Sequence, residues 1–517
     1  MNKVIRSVVI LGGGTAGWLT AGILAAKLKQ EKKSGYKITL IESPDIKTVG
    51  VGEGTWPTMR KTLASMGINE SDFIQECQVS FKQGAKFSRW VTGLDDDHYY
   101  HPLMLPQGNE QFAIAKHWLA GDRNLSFAHA VCPQAKACDL NLAPKRIVDA
   151  EYRGPLNYAY HLDAGAFVSF LKKHCCQNLQ VNYVSATVTS VQSDVEGDIT
   201  GLMTDTQGLV SGDLFIDCSG FNSRLLAQHY QIPFVSQADV LFADTALAVH
   251  VPYADANTGI ASMTLSTAQS AGWIWDIGLP SRRGVGHVFS SNYISQQVAE
   301  DELAQYIKNS GGQLKDAQFK KIAINCGHRQ TFWHKNSVAI GLAAGFFEPL
   351  EASALLLIEI SAQSIAQNFP TNRAAMSLVA KQYNRMSHYR WARILDFLKL
   401  HYLLNQRQDS QFWIDNRAAE SIPESLQEKL ALWQYQVPSD DDFEQAVEVF
   451  PAASYLYILY GMGFNTQPDP LGISSGGQRL AEHYFSKNQQ QFEHLAKSLT
   501  QHKTLLDKIQ QYGLQKI

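Results

Sequence analysis

Ser7-Val8-Val9-Ile10-Leu11-Gly12-Gly13-Gly14-Thr15-Ala16-Gly17 sets the architecture at the start of the chain. Its first half is a short apolar run that suits a buried strand, and the glycines end it abruptly. From Trp18 to Leu28 the apolar residues recur with helical spacing. Strand, glycine turn and helix in this order open a dinucleotide-binding fold. Gly12 permits the tight turn, Gly14 lets the backbone approach a pyrophosphate, and Gly17 lets the helix pack on the strand, with the helix N-terminus facing the phosphates. Lys37-Ile38-Thr39-Leu40-Ile41-Glu42 supplies the second strand, and Glu42 at its end is placed to accept hydrogen bonds from a ribose.

Two later segments favour FAD over NAD. Asp213-Leu214-Phe215-Ile216-Asp217-Cys218-Ser219-Gly220 and Ser337-Val338-Ala339-Ile340-Gly341-Leu342-Ala343-Ala344-Gly345 each read as a strand ending in a turn of small residues. Strand ends that return this late to one nucleotide fold suit a long dinucleotide such as FAD. No second complete glycine fingerprint offers a seat for NADPH, so reduced flavin is expected from elsewhere. The fold class is therefore α/β: a Rossmann-type, flavin monooxygenase-like FAD module over residues 1–370, with interleaved β segments facing substrate. A mainly helical part over 371–517 is expected to cover it.

At 517 residues the chain should form more than one lobe. A formal net charge of -3 gives no reason to expect nucleic acid or an anionic membrane surface as partner. No apolar run approaches the ~20 residues of a membrane-spanning helix. Met1 to Lys3 leads into the first strand without the spacing of a signal peptide. Seven scattered cysteines, an odd count without metal-ligand spacing, suit free thiols in a reducing cytoplasm, and Cys175-Cys176 reads as packed small residues.

Between these landmarks, Val49-Gly50-Val51-Gly52-Glu53-Gly54-Thr55-Trp56-Pro57 reads as a glycine-rich loop before a helix that Pro57 starts. Lys82 and Lys86 stand four apart between Phe81 and Phe87; an exposed basic pair is the ordinary explanation, and a partly buried amine the functional one. Asp95-Asp96-Asp97-His98 lacks the ligand spacing of a calcium or zinc site and reads as a solvated acidic turn, so no metal is expected. Asp163 is a helix N-cap, and Gln180 to Gln192 reads as strand. Trp273 and Trp275, with Ile277, share one face of an extended segment, as packing or as a wall of an aromatic site. Leu355 to Asn368, Ala374 to Met386, Tyr389 to Leu404 and Leu426 to Trp433 read as helices, Glu448 to Gly463 is rich in aromatics, and Gly476 to Ile517 is helical.

With these pieces in order, the chain resembles the flavin-dependent tryptophan halogenases over nearly its whole length. The resemblance is carried by Gly12 to Trp18, Gly50-Val51-Gly52-Glu53, the Phe81-Lys82 to Phe87 block, Tyr100-His101, Asp213 to Gly220, Gly272 to Ile277 and Phe347-Glu348-Pro349-Leu350-Glu351. It implies that reduced FAD and O2 convert chloride or bromide to hypohalous acid. Lys82 then activates that species, by hydrogen bonding as an ammonium or by forming a haloamine. Glu351 positions the electrophile and stabilises or deprotonates the arenium intermediate. It further implies FAD contacts at Gly12, Gly14, Thr15, Ala16, Gly17, Glu42, Val188, Leu342 and Leu355, halide held at Ser353 and Ala354, and substrate lined by His101, Leu103 and Phe450. A separate flavin reductase is the expected partner, and the resemblance leaves room for a homodimer.

Four departures narrow the substrate. Ala352-Ser353-Ala354 stands where the family has Ser-Thr-Gly, which favours bromide over chloride. Gly278 replaces a proline, and Leu103 stands where an aromatic ring is usual. Asp440 to Phe450 is a shorter run than the stretch with which the free-tryptophan enzymes grip their amino acid. Indole, a substituted indole or a larger indole-bearing molecule is therefore expected rather than free tryptophan. Two other readings remain: a flavin-dependent aromatic hydroxylase, in which Lys82 and Glu351 have no role, and a non-catalytic flavoprotein that binds an indole-bearing partner.

Overall fold

Ser7–Leu11 is a strand, and it lies near the middle of a six-stranded sheet. Lys37–Glu42 pairs with it in parallel on one side and Leu214–Asp217 on the other, so the three segments read as nucleotide strands are brought together with Ser337–Ala339 beyond them. Asn182–Ser185 and Trp333–His334 complete the sheet. The run Gln180 to Gln192 is not one strand. Asn182–Ser185 pairs with Lys37–Glu42, while Val188–Ser193 joins a separate antiparallel sheet with Ile199–Thr204 and Gly208–Ser211. The chain turns between them at Ala186, whose N–H bonds the carbonyl of Glu42 at 3.0 Å.

The computed structural model describes residues 4–31, 35–46, 52–109, 112–255, 257–314, 318–467 and 473–515. Within them the chain forms two compact units, each assembled from three stretches: Met1–Gln78, Leu162–Gln237 and Asn325–Trp391 in the first, and Val79–His161, Ala238–Ile324 and Ala392–Ile517 in the second. Met1 to Lys3 and Val49 to Val51 lie outside the described residues. Gly52–Gly54, expected as loop, is a short strand. The segments Ala374 to Met386 and Tyr389 to Leu404 are one 31-residue helix, Arg373–Leu403. No Gly or Pro interrupts it, and Ser387 and His388 are tolerated inside a helix.

The second unit is built on a seven-stranded sheet in the order Lys320–Ala323, Thr245–Pro252, Arg282–Phe289, Gly272–Gly278, Thr264–Gln269, Gly84–Ser88 and His98–Pro102. Helix Gln296–Asn309 lays Ala299, Leu303 and Ile307 on Leu247, Val249, Ile274 and Phe289 of that sheet. Each of the Leu, Ile, Val and Phe side chains among them contributes about 1.5–3 kcal/mol by leaving water. Gly272–Gly278, in the middle, is buried along its whole length, so Trp273 and Trp275 are core residues. The C-terminal stretch forms two helices, Ser475–Ser498 and His502–Tyr512. Among the described residues no helix is long and apolar enough to cross a membrane. All seven cysteines are free thiols, six of them buried.

Candidate active site

The first unit carries the nucleotide cradle. Gly12 has φ +118°, and a Cβ there would overlap the carbonyl of Cys218 at the end of the neighbouring strand. Gly14 faces open space: a Cβ on it would meet nothing within 4 Å. It is also the N-cap of the helix Thr15–Gln30, with no side chain capping the first turn. Those N–H groups and the positive end of the helix are therefore left for an anion. Glu42 lies against Gly13 and is held by the Lys172 ammonium at 2.8 Å. Asp217 locks the turn that approaches Gly12: its carboxylate accepts from Ser219 N (3.1 Å), Ser219 Oγ (2.5 Å), Leu225 N (2.8 Å) and Leu226 N (3.1 Å). This cradle fits the pyrophosphate and ribose of a dinucleotide. Of the other expected contacts, Val188 is buried and its carbonyl accepts from Arg224 at 2.9 Å, Leu342 lies in a turn at 37% exposure, and Leu355 is buried in the helix Ser353–Gln367.

Glu351 stands in the same unit, just before that helix, at 5% exposure. Ala352 is the N-cap and adopts the left-handed conformation, φ +55° and ψ +39°, with no side-chain cap. A non-glycine residue there costs roughly 1–2 kcal/mol. The backbone constraint therefore falls on Ala352, while Ser353 and Ala354 open the helix with the unpaired N–H groups of a first turn. Pro349 O accepts from Ala352 N at 3.0 Å, and Glu351 O accepts from the Trp56 indole N–H at 3.0 Å.

Two further acids of this unit were given no role by the sequence. Glu359, fully buried on the same helix, accepts from Thr62 Oγ1 (2.5 Å), Thr58 Oγ1 (3.1 Å) and Gln363 Nε2 (3.3 Å), and burial pushes its carboxyl up to about 7. Glu53, in Gly52–Gly54, is likewise raised to about 7, by burial first and then by the charge of Asp163. Asp163 caps its helix through Ala166 N at 2.9 Å, as its sequence position implied.

The second unit holds Lys82, His101, Leu103 and Phe450. Lys82 ends the strand Ser80–Lys82 and is 4% exposed, which removes the ordinary explanation of a solvated basic residue. It is paired across an antiparallel ladder with Ala159, and Ser80 with His161, so Ser80, Lys82 and His161 share one face. His161 is fully buried, bonds Thr264 Oγ1 at 2.8 Å, and is held well below the usual histidine range by burial, then by the charges of Lys82 and His502. His502, also fully buried, accepts from Phe81 N at 2.9 Å and donates from Nδ1 to Ile260 O at 3.1 Å. Burial lowers it to about 4, and it stays neutral. Lys86 is on the next strand, Gly84–Ser88, with its ammonium 5.3 Å from the Tyr100 ring centroid.

The expected substrate residues lie around a second ladder, in the seven-stranded sheet, between Gly84–Ser88 and His98–Pro102. His101 pairs with Ala85, and its Nε2 bonds Ser454 Oγ at 3.0 Å. Phe450 is buried against it, 6.5 Å between centroids, and stacks on Phe397 at 3.7 Å. Leu103 N donates to Gln134 Oε1 (2.8 Å) and to Gln83 O (3.2 Å), which ties it to the residue after Lys82. The expected site residues thus fall into two sets, each gathered within one unit: the cradle, Glu351, Ser353 and Ala354 in the first, and Lys82, His101, Leu103 and Phe450 in the second. Gln83, in the lysine block, and His161, read in a loop entering a helix and found in the strand Ala159–Asp163, were given no role by the sequence, and Gln134 and His502 were not noticed; Phe81 and His502, for instance, are 421 residues apart. Trp56 carried one signal, its place at the end of the glycine-rich segment.

The tryptophan halogenase family model matches residues 7–474. The tryptophan 6-halogenase ThaL of Streptomyces albogriseolus is 31% identical over 509 residues, which cover 93% of this chain and 94% of its own. Among solved structures, a tryptophan halogenase from Shewanella frigidimarina is similar at TM-score 0.96 and 47% identity, covering 100% of this chain and 99% of that one. BrvH, a flavin-dependent halogenase from Brevundimonas sp. BAL3, is similar at TM-score 0.86 and 31% identity, over 98% and 99% of the two chains.

Proposed function

The chain belongs to the flavin-dependent tryptophan halogenase family, and from that premise we propose that it halogenates an indole-type substrate by way of Lys82 and Glu351. FAD, supplied in reduced form by a separate flavin reductase, would provide with O2 the oxidising power that turns halide into hypohalous acid. The cradle at Gly12, Gly14, Thr15, Ala16, Gly17 and Glu42 would hold it, with Val188, Leu342 and Leu355 as its further contacts. Ser353 and Ala354 offer halide two N–H groups at a helix start, where an anion is stabilised.

The observation that carries the reading is Lys82, a lysine withdrawn from water on a strand fixed by ladder pairing. Lysine is almost never fully buried unless it is paired. Neutral His161 and His502 add no second positive charge beside it, and its amine would serve as hydrogen-bond donor to hypohalous acid or as the nitrogen that takes up halogen. Glu351 supplies the carboxylate that offsets the positive charge developing on the ring and takes its proton. His101, Leu103 and Phe450 would bound the ring, and the lack of an aromatic at Leu103 suits indole or a larger indole-bearing molecule better than a tightly gripped amino acid. Ala352 and Ala354 favour bromide.

The test is turnover with a flavin reductase, FAD, NADH and indole, in parallel with chloride, bromide and neither, read by mass spectrometry. Halogenated indole, with bromide ahead of chloride, is the expected result. Oxygenated indole formed without halide would replace this reading with a hydroxylase, and flavin uptake with no product in any arm would point to a binding protein.

A further inference from the structure

An N-cap is ordinarily an extended residue whose oxygen-bearing side chain bonds the first turn. Ala352 is neither: it is left-handed, and its methyl side chain can make no capping hydrogen bond. Alanine does not select this conformation by itself, so something outside the turn must hold it. The indole of Trp56 is in position to do so, donating to Glu351 O at 3.0 Å, the carbonyl of the peptide that joins Glu351 to Ala352. Trp56 is itself fixed, because the helix that follows it, Thr58–Ser65, is bonded through Thr58 and Thr62 to Glu359 on Ser353–Gln367. Trp56, the turn and the helix it opens thus form one closed hydrogen-bonded loop within the first unit.

We propose that Trp56 is a positioning residue for Glu351: its N–H holds the Glu351–Ala352 peptide so that Ala352 stays left-handed and the carboxylate and the first-turn N–H groups keep one aim. The inference rests on the reading of Glu351 as the carboxylate of the site. Trp56→Phe keeps an aromatic ring and removes the N–H donor together with the five-membered ring that carries it. It should lower kcat for indole bromination about tenfold, while the flavin dissociation constant changes by less than about twofold. Glycine at 352 adopts the left-handed conformation unaided, so in an Ala352→Gly background the same Trp56→Phe step should cost no more than about twofold. Hydrogen exchange of the peptide spanning residues 347–356, measured without flavin, should rise with Trp56→Phe and return with the added Ala352→Gly.

Wild-type kcat and exchange in Trp56→Phe would overturn the proposal, and so would a loss that Ala352→Gly leaves untouched. Should Trp56→Phe not fold, Ala352→Val with Trp56 intact reads the same turn, since a β-branched residue resists this conformation: about tenfold lower kcat supports the proposal and wild-type kcat overturns it. If Glu351→Gln keeps full turnover, the reading of Glu351 fails by itself, and the flavin-free exchange cycle still decides whether Trp56 holds the turn.

Discussion

Glu351 and Lys82, the two residues assigned to the chemistry, are held by different means. Glu351 sits beside a left-handed alanine on a turn secured by an indole N–H and one backbone bond. Lys82 sits in a strand paired to Ala159, in which the N–H of the neighbouring Phe81 is held by a neutral, fully buried His502. The first arrangement depends on one residue's conformation, the second on burial and ladder pairing. Substitutions near Glu351 should therefore act on aim and rate, and those near Lys82 on stability.

The largest expected effect tests the carboxylate itself. Glu351→Gln should lower kcat for halogenated indole by about 10²–10³-fold, or roughly 3–4 kcal/mol, without weakening flavin binding. Next is His502→Leu, which leaves Phe81 N–H and Ile260 C=O without their partner. Denaturant melts should register a loss of about 3 kcal/mol. The wild-type contribution also has a pH signature. With its folded value lowered from 6.5 to about 4, His502 is stabilising above pH 6.5, and that stability is lost as pH falls toward 4. His502→Leu should flatten this acid limb.

The first unit should respond to pH in the opposite sense. Glu359 is raised from 4.5 to about 7, so its cost to the fold is absent below pH 4.5 and complete once pH has risen through 7. Glu359→Gln should gain on the order of 2 kcal/mol relative to wild type at pH 8.5 and little at pH 4.5, read by urea melts at both. The smallest effect is Ala352→Gly, which should raise stability by about 0.5–1 kcal/mol by relieving the left-handed alanine, seen as a higher denaturation midpoint. Equal shifts from glycine at Ala352 and at the helical Ala354 would contradict the strain assigned to the left-handed Ala352.

How much of this was legible in the sequence follows from what each feature depends on. The strand Ser7–Leu11, its glycines and Glu42 were readable because strand, turn and the acid that ends the second strand lie within 36 consecutive residues and each obeys a local rule. The family motifs singled out Lys82 and Glu351 as residues. Their settings were not readable: His161 and His502 reach Lys82's strand through tertiary contact, and nothing local marks Ala352 as left-handed, since alanine favours a helix. The break between Asn182–Ser185 and Val188–Ser193 was hidden because β-branched residues run through both, and only their different partner strands separate them. The continuity of Arg373–Leu403 was hidden for the converse reason, a polar stretch at Ser387-His388 that a helix accommodates.

The most direct measurement of the central claim compares wild type with Lys82→Met under bromide, flavin reductase, FAD, NADH and indole, with a trap for free hypohalous acid. If Lys82 delivers the halogen, the variant should still form trapped hypohalous acid at close to the wild-type flux, while brominated indole falls by about a hundredfold or more. Brominated indole from Lys82→Met within about tenfold of wild type would contradict the account, because the buried lysine would then be no part of the transfer.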